Sequence, residues 1–455
     1  MIKIKSIKFK DHKILGNLEL DFCDKDGNPA DTIIIAGENG TGKTAILEEI
    51  YKVMNSQTDC KNLELNVLCD SSNYSIEYGE KLMPIGFNTN GKALYIINDI
   101  LLNGEKGFQT SESIRHFKSI YSNVNINFSS AKIKTIKASE LDMGDKDNRK
   151  FDERTSTDIK QLFVDMVNYD NKIKAKEYDK IAKKIQNKIN TNLPLKMDRF
   201  KNAFNFMFDD IKFKETENIN GNIEILFEKN GKEISIDDLS SGEKQIVFRG
   251  AFLLRDKEAL NGAVVLIDEP EISMHPKWQE KILGYYRDLF VDDKKQTSQI
   301  IISTHSNFVI ENALELDNSV IVALQENNDK PKKIMKNDGT FILPSVTAAE
   351  VNYNVFDILS SDYHIELYGY LQNLVNKTNS IKKFDEYLKS NNSELKQYTY
   401  RNTTYETLPT YIRNVIDHPD DQNSQNRREY TQEELKKSIE FLISLIRQER
   451  QNQQI

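Results

Sequence analysis

The stretch that decides the fold of this 455-residue chain is GENGTGKT, residues Gly37–Thr44. Its spacing fits G-x-x-x-x-G-K-[ST], the pattern of a loop whose backbone N–H groups surround a phosphate. The apolar run Thr32–Ala36 precedes the loop and predicts a buried strand, and Ala45–Ile50 follows it and predicts a helix. A strand, a glycine-rich loop and a helix in this order are the context that such a loop requires.

Two side chains of this loop carry specific predictions. Lys43 is expected to reach the β- and γ-phosphates of ATP, and the Thr44 hydroxyl is expected to bind Mg²⁺. The alternative is a glycine-rich turn with an incidental lysine, which the flanking strand and helix disfavour. The residues of this loop that we predict to bind the nucleotide are Gly37, Asn39, Gly40, Thr41, Gly42, Lys43 and Thr44.

An acidic pair ends a second apolar run. Val264–Ile267 predicts a buried strand, and Asp268 and Glu269 follow it directly. We expect Asp268 to hold Mg²⁺, directly or through water, and Glu269 to act as the general base on the attacking water. An acidic surface turn is the alternative interpretation of this pair.

Two more motifs complete the pattern. LSSGE at Leu239–Glu243 precedes the apolar-periodic segment Ile246–Leu254, so we expect it to cap a helix and to present hydroxyl and N–H groups to a phosphate. STHS at Ser303–Ser306 ends the apolar run that begins at Gln299. Taken alone, the first is a good helix cap and the second contains an ordinary structural histidine. The candidate site residues in these motifs are Ser240, Ser241, Gly242, Glu243 and His305.

Together the four motifs resemble the ATP site of ABC-type ATPases, and DEPEISMHP at Asp268–Pro276 resembles the branch that contains the OLD and SMC proteins. The resemblance implies an α/β fold with an ABC-type P-loop ATPase head, and ATP and Mg²⁺ as cofactors. It implies that Ser241 contacts the nucleotide held by Lys43 of a second copy, and that His305 contacts the γ-phosphate. A glutamine that many ABC ATPases place after the phosphate loop stays unassigned, since Gln57 lies too early and Gln109 lies in an ambiguous segment.

Composition narrows the function classes. A net charge of −8 and a pI of about 5.5 give no overall electrostatic signature for nucleic acid, although a local basic patch remains compatible with them. The three cysteines, Cys23, Cys60 and Cys69, lack metal-ligand spacing and favour a reducing compartment. The chain shows no signal-peptide pattern and no apolar run long enough to span a bilayer. We therefore expect a cytoplasmic protein without a membrane partner.

The chain divides into two predicted domains. Residues 1–345 form the ATPase domain with a helical insertion at about 155–210, and residues 346–455 form a C-terminal all-α region for assembly, partner binding or a HEPN-like activity. Lys43 and Ser241 are 198 residues apart, too few for the long coiled-coil arms of SMC proteins. The lysine-rich stretch Lys172–Lys188 of the insertion is either a solvated face or a surface that tracks nucleic acid.

A separate candidate site lies in the C-terminal region. Arg413, Asn414 and His418 fit R-N-x-x-x-H, which resembles the active-site motif of HEPN ribonucleases. A spacing of five residues leaves the arginine and histidine side chains roughly 140° apart around a helix, so a shared site needs a bend or a second copy. The alternative is an interaction helix in which Arg413 forms a salt bridge.

The motifs, the short insertion and the helical tail look like the stand-alone defence ATPases of bacterial Septu, PARIS and retron-associated antiphage systems. This resemblance implies a homodimer or larger homo-oligomer joined through ATP, and a separate nuclease effector of HNH or TOPRIM type. Two alternatives remain: an ATPase fused to its own HEPN-like ribonuclease, and a DNA-repair ATPase of the SMC branch. The short insertion and the acidic charge disfavour the second alternative.

Overall fold

The computed structural model describes residues 2–54, 63–69, 72–78, 84–88, 93–97, 100–104, 115–116, 119–123, 156–183, 193, 195–254, 262–292, 295–325, 331–375, 380–400, 402–418 and 430–453. The predictions that concern Gln57, Gln109 and Cys60 fall outside these residues. Among the described residues, no helix is both long and apolar enough to cross a membrane.

The described elements of the first unit include both strands and helices, and most of the strands lie in this part of the chain. The strands are β1 Ile2–Phe9, β2 Glu19–Asp21, β3 Thr32–Gly37, β4 Leu63–Cys69, β5 Ser72–Tyr78, β6 Pro84–Asn88, β7 Ala93–Ile97, β8 Ile100–Gly104, β9 Arg115–His116, β10 Ser119–Ser122, β11 Ile211–Ile219, β12 Asn222–Lys229, β13 Lys232–Ser235, β14 Val264–Asp268, β15 Val291–Asp292, β16 Lys295–Gln296, β17 Gln299–Thr304, β18 Ser319–Leu324, β19 Lys332–Ile334, β20 Leu395–Tyr400 and β21 Thr403–Thr407. The helices are α1 Lys43–Met54, α2 Ser156–Ala182, α3 Lys196–Met207, α4 Ser241–Leu253, α5 Pro276–Asp288, α6 Asn307–Leu314, α7 Ala348–Phe356, α8 Ser361–Leu374, α9 Ile381–Ser390, α10 Leu408–Asp417 and α11 Gln432–Gln453.

The central sheet has the order β10-β14-β17-β3-β18-β19, and its neighbours run parallel except for β19. Every residue of β3, β14 and β17 is buried, as the continuous apolar runs predicted for strands covered on both faces. The register pairs Asp268 with Ser303 and Thr304 with Ala36. The carboxyl ends of these three strands therefore lie side by side, directly before the phosphate loop, the acidic pair and the STHS motif.

A second, antiparallel sheet has the order β2-β1-β4-β5-β6-β7-β8-β9. Strand β1 reads IKIKSIKF, and its apolar residues are buried while the lysines between them are at least partly exposed. Helix α1 shares one apolar cluster with this strand and with the central sheet. The cluster includes Ile4 and Ile7 from β1, Ile33 and Ile35 from β3, and Ile46, Leu47 and Ile50 from α1. This packing holds the N-terminus of α1 next to the carboxyl ends of the strands of the central sheet.

The segment predicted to be a helical insertion contains α2 and α3. The predicted apolar face of α2 is buried at Ile159, Leu162, Phe163 and Met166. The Phe163 ring meets Phe200 of α3 with centroids 5.1 Å apart, edge to face, a favourable geometry for aromatic rings. The same ring lies 5.1 Å from Phe213 of β11 and 6.5 Å from Phe227 of β12 between centroids, which anchors the insertion to these strands.

The hairpin β12–β13 leads into the LSSGE motif. Asn230 and Gly231 connect its strands with φ values of 51° and 73°. Two consecutive positive φ values are what a two-residue hairpin turn requires, and Asn-Gly meets that requirement. The sequence of this turn therefore accounts for the tight connection between β12 and β13.

The chain forms two compact units, Met1–Lys336 and Asn337–Ile455. The second unit is mainly helical, and its core includes Tyr363 and Leu367 of α8 and Ile439 and Leu442 of α11. A capping box begins α11, because the side chain of Glu434 accepts from the Thr431 backbone N–H and the Thr431 hydroxyl accepts from the Glu434 backbone N–H.

One detail of the predicted C-terminal region is wrong. The region expected to be all-α also contains the antiparallel hairpin β20–β21. Its residues 395–407 read LKQYTYRNTTYET, which is rich in Tyr and Thr, residue types that favour strands. Asn402 takes a φ of 65° after the first strand, as turns of this kind need.

Candidate nucleotide-binding site

The phosphate loop connects β3 to α1 and buries its lysine. Gly40 and Gly42 have φ values of 86° and 91°, a region that glycine enters without steric cost. The Lys43 side chain donates to the carbonyl oxygens of Gly37 at 3.0 Å and Glu38 at 2.9 Å. Burial lowers the pKa of Lys43, and the nearby carboxylates of Glu269 and Asp268 oppose that shift. The ammonium group thus lies at the base of the loop, beside the acidic pair.

Asp268 ends β14 and is fully buried. Its Oδ1 accepts from the Thr44 hydroxyl at 3.3 Å and from the Ser303 hydroxyl, and its Oδ2 accepts from the Tyr121 hydroxyl at 3.2 Å. Burial raises the pKa of Asp268, and these hydrogen bonds oppose the rise. The adjacent oxygens of Thr44 and Asp268 are hard donors, which fit Mg²⁺ because that ion binds few protein ligands and keeps several waters.

Glu269 occupies a strained backbone position. Its φ is 40°, unusual for a residue other than glycine, and such strain is concentrated at functional sites. Its backbone N–H donates to the carbonyl oxygen of Ser303 at 3.1 Å and to the hydroxyl of the same residue at 3.0 Å. His305 Nε2 lies 2.6 Å from Glu269 Oε1. This hydrogen bond is the main cause that lowers the pKa of Glu269, so the carboxylate stays ionised.

His305 lies between the predicted phosphate-binding Lys43 and the predicted general base Glu269. Its Nδ1 is 3.4 Å from the Lys43 ammonium, while its Nε2 contacts Glu269. The structure therefore brings Lys43, Thr44, Asp268, Glu269 and His305 into one continuous group, although 262 positions separate Lys43 from His305.

The LSSGE segment begins helix α4, as predicted. The Ser240 hydroxyl accepts from the Glu243 N–H at 3.4 Å, and the Glu243 carboxylate accepts from the Ser240 N–H at 2.8 Å. Lys229 donates to the other oxygen of Glu243 at 2.7 Å. Ser241 is exposed and Gly242 is packed, because a Cβ on Gly242 would lie 3.0 Å from the Ser273 carbonyl oxygen. Among the described residues, no hydrogen bond or ion pair joins this segment to the group around Lys43.

Two buried residues near the site were missed by the sequence analysis. Tyr121 of β10 contacts Asp268, and no local motif marks it. Arg249 of α4 donates to the Asp268 carbonyl oxygen at 2.9 Å and to the Asn123 carbonyl oxygen at 3.0 Å. The sequence did indicate a role for Arg249, because a single arginine within the apolar run of α4 needs a buried partner. It ties the helix that carries LSSGE to the end of β14.

The residues of the R-N-x-x-x-H motif, at the end of α10, contact one another and their immediate neighbours. Arg413 pairs with Asp417 at 2.5 Å and donates to the Asn414 side-chain oxygen at 3.0 Å. Asn414 is buried, and the His418 backbone N–H caps α10 by donating to the Asn414 carbonyl oxygen at 3.2 Å. This geometry matches the interaction-helix alternative, with Arg413 in a salt bridge. The ribonuclease role of Arg413, Asn414 and His418 stays a prediction.

Comparison with known proteins places the chain in a family. A family model described as "AAA domain, putative AbiEii toxin, Type IV TA system" matches residues 75–311, just over half of the chain. The chain belongs to this family. The predicted membership in the AAA ATPases is confirmed by this match, and the predicted α/β fold class is confirmed by the parallel central sheet with its helices.

Individual relatives cover different shares of the chain. The Septu protein PtuA of Bacillus thuringiensis is 22% identical over 413 residues, which are 86% of this chain and 93% of the relative. The Retron Vc95 probable ATPase of Vibrio cholerae serotype O1 biovar El Tor is 34% identical over 111 residues, 22% of this chain and 20% of the relative. The chain thus matches only about a fifth of the retron protein's length.

Solved structures include an SMC head domain from Thermotoga maritima. It shares 15% identity, with 73% of this chain and 98% of that chain covered and a TM-score of 0.38. The family model and the relatives above show that the chain carries an AAA-type ATPase domain and is similar to a Septu protein and to retron probable ATPases.

Proposed function

We propose that this chain binds and hydrolyses ATP with Mg²⁺, using the group formed by Lys43, Thr44, Asp268, Glu269 and His305. The observation that carries the proposal is the contact between Glu269 Oε1 and His305 Nε2 at 2.6 Å, next to the Lys43 ammonium and the Asp268–Thr44 pair. A general base, a cation for phosphate oxygens and a pair of oxygen donors are the parts that phosphoryl transfer to water needs.

Each residue has a distinct proposed task. Lys43 binds the β- and γ-phosphates, and the N–H groups of Gly37–Thr44 surround them. Thr44 and Asp268 hold Mg²⁺, which when bound neutralises charge on the phosphate oxygens. Glu269 accepts a proton from the attacking water, and its lowered pKa keeps it in the basic form. His305 orients Glu269 through Nε2, and the family resemblance implies that it also contacts the γ-phosphate.

We further propose that the working unit contains two copies. Ser240 already caps its own helix, while the neighbouring Ser241 is exposed at the N-terminus of α4. A helix N-terminus with an exposed hydroxyl is suited to an anion. In this proposal the anion is the γ-phosphate of ATP held by Lys43 of the partner copy, and the pair controls a separate HNH or TOPRIM nuclease in antiphage defence.

Mixing inactive variants tests the two-copy site. Lys43→Ala and Ser241→Arg are each expected to reduce hydrolysis by about 10²-fold or more, since each removes a contact to the transferred phosphate. A mixture of the two should regain about one working site per mixed dimer. The measurement is phosphate release per chain at a fixed total concentration.

A second mixture serves as the matched control. Lys43 and Glu269 belong to the same site of one chain, so Lys43→Ala mixed with Glu269→Gln should regain nothing. Failure of the first mixture to recover, or recovery of the control mixture, would contradict the proposed arrangement. A wild-type chain without ATPase activity would contradict the proposed reaction itself.

A further inference from the structure

Glu271 lies two residues after the proposed general base and contacts the histidine loop. Its side chain is buried, and its Oε1 accepts from the Thr304 hydroxyl and from the His305 backbone N–H, both at 2.7 Å. The Ser306 backbone N–H in turn donates to the Thr304 hydroxyl oxygen at 3.0 Å. A single carboxylate oxygen therefore organises three consecutive residues of the loop that carries His305.

The connection continues from the backbone to the ring of His305. Because Glu271 fixes the His305 N–H, it limits where the imidazole can lie, and the imidazole is 2.6 Å from Glu269 Oε1. Pro270 separates the two glutamates in sequence and restricts the backbone between them. Glu269 and Glu271, on the two sides of Pro270, thus fix the position of His305 relative to the general base.

Stability alone is a poor reason for a carboxylate at this position. A buried acid is costly unless it is paired; among the described residues no Lys or Arg lies within ion-pair distance of Glu271, and the Lys43 ammonium attracts it only from farther away. Its second oxygen, Oε2, is buried without a hydrogen-bond partner among the described atoms. Burial raises the pKa of Glu271, which marks the same cost. An acid kept at such a cost beside a reactive group points to a functional role.

We propose that Glu271 is a positioning residue for ATP hydrolysis, which acts by holding the His305 loop so that the imidazole stays aligned on Glu269. The inference rests on the proposed ATPase function and adds a residue that does not touch nucleotide or metal. Its partners are Thr304 and His305, and its effect reaches the attacking water only through the His305–Glu269 contact.

The first test compares two substitutions at this position. Glu271→Ala removes the acceptor and should lower kcat by roughly 10–100-fold, the usual effect of losing a group that orients an active-site residue. The KM for ATP should be nearly unchanged. Glu271→Gln retains an acceptor oxygen for Thr304 and His305, so it should recover most of that loss. Wild-type kcat in Glu271→Ala would overturn the proposal.

A matched control is available in the second unit. Glu350 is also fully buried, its Oε1 accepts from the backbone N–H groups of Ile342 and Leu343, and its Oε2 lacks a partner among the described atoms. Glu350→Ala should lower the melting temperature and leave kcat unchanged. An equal loss of kcat in Glu350→Ala and Glu271→Ala would assign the effect to general destabilisation and overturn the positioning role.

A double-mutant cycle separates action through His305 from an independent effect. If Glu271 works only through the histidine, Glu271→Ala added to His305→Ala should cause no further loss of kcat, because groups that act as a unit are not additive. Multiplication of the two single losses in the double variant would contradict the proposed route.

A measurement without nucleotide distinguishes failure of this inference from failure of the ATPase proposal. The ¹H–¹³C signal of the His305 ring, assigned by its loss in His305→Gln, should move in Glu271→Ala and stay in place in Glu350→Ala. If wild type hydrolyses no ATP, this signal still decides whether Glu271 positions the ring. An unchanged position of this signal in Glu271→Ala would contradict the inference.

Discussion

Ionisation of Asp268 has opposite effects on the stability of the chain and on its proposed chemistry. Its carboxyl group is fully buried and accepts hydrogen bonds from Thr44, Tyr121 and Ser303, yet burial still raises its pKa. A group with a raised folded pKa contributes stability that is fully present below its unfolded pKa and is lost as the pH rises through the folded pKa. At neutral pH the ionised carboxylate therefore lowers the stability of the nucleotide-free chain, and this is the form proposed to bind Mg²⁺.

Asp268→Asn should consequently separate these two roles. The amide oxygen can accept from Thr44 and Ser303 and the amide nitrogen can donate to Tyr121, so the contacts survive without the charge. We expect a higher free energy of unfolding than wild type at pH 7, a gain that shrinks as the pH falls toward the ordinary value of 3.8. Hydrolysis should fall by about 10²-fold or more because a metal ligand is weakened.

Urea unfolding without nucleotide, measured between about pH 4 and pH 8, checks this prediction. Asp317→Asn is a control of opposite sign, because the hydrogen bond from Lys336 lowers the pKa of Asp317. Stability from Asp317 is present above its unfolded pKa and is lost as the pH falls through its folded pKa. A variant at Asp268 that is less stable than wild type at pH 7 would contradict the argument.

At the scale of elements, helix α4 is held in place by close packing on α5. Gly250 of α4 faces Tyr285 of α5, whose hydroxyl is buried and donates to the Ile246 carbonyl oxygen at 2.9 Å. A Cβ on Gly250 would lie 2.0 Å from that hydroxyl oxygen. Since α4 also carries LSSGE and Arg249, its distance from α5 sets where these groups lie.

Gly250→Ala should destabilise the chain by about 1–3 kcal/mol, the usual cost of overpacking a core. The matched change Gly369→Ala lies in α8, where a Cβ would meet no atom within 4 Å, and it should stabilise by about 0.5–1 kcal/mol. Urea unfolding of both variants checks the pair. If Gly250→Ala were as stable as Gly369→Ala, α4 and α5 would not pack as described.

At the scale of the whole molecule, the R-N-x-x-x-H motif at Arg413–His418 is the effector chemistry that the sequence suggests for the second unit. Arg413 is engaged by Asp417 and Asn414 within one turn of α10, which leaves its guanidinium committed to local partners. This favours assembly or partner binding over intrinsic ribonuclease activity.

Expression of the chain alone should therefore be harmless, and the purified chain should not cleave RNA. Arg413→Ala and His418→Ala should weaken assembly or partner binding, while ATPase activity stays within about twofold of wild type. Lys437→Ala, which removes an exposed ion pair with Glu433 in α11, is the control and should change neither property. Metal-independent RNA cleavage that is lost in both variants, with assembly unchanged, would establish the HEPN-like alternative instead.

The sequence by itself determined the local elements of this protein. The strand and helix around the phosphate loop, the cap at Ser240, the Asn230-Gly231 turn and the buried run of β14 all depend on residues within a few positions of one another. Their patterns therefore carry the information directly. The five proposed site residues were also named from motif spacing, and their proximity follows once their strands are parallel neighbours.

Only the tertiary structure decided which distant residues support that site. Tyr121 contacts Asp268 across 147 positions, and Glu271 holds the His305 N–H across 34 positions. These contacts depend on the strand order β10-β14-β17-β3, which no local pattern specifies because it is set by the packing of the whole sheet. The same limit explains the missed hairpin β20–β21: a short strand pair competes with helical periodicity until its neighbours select the extended form.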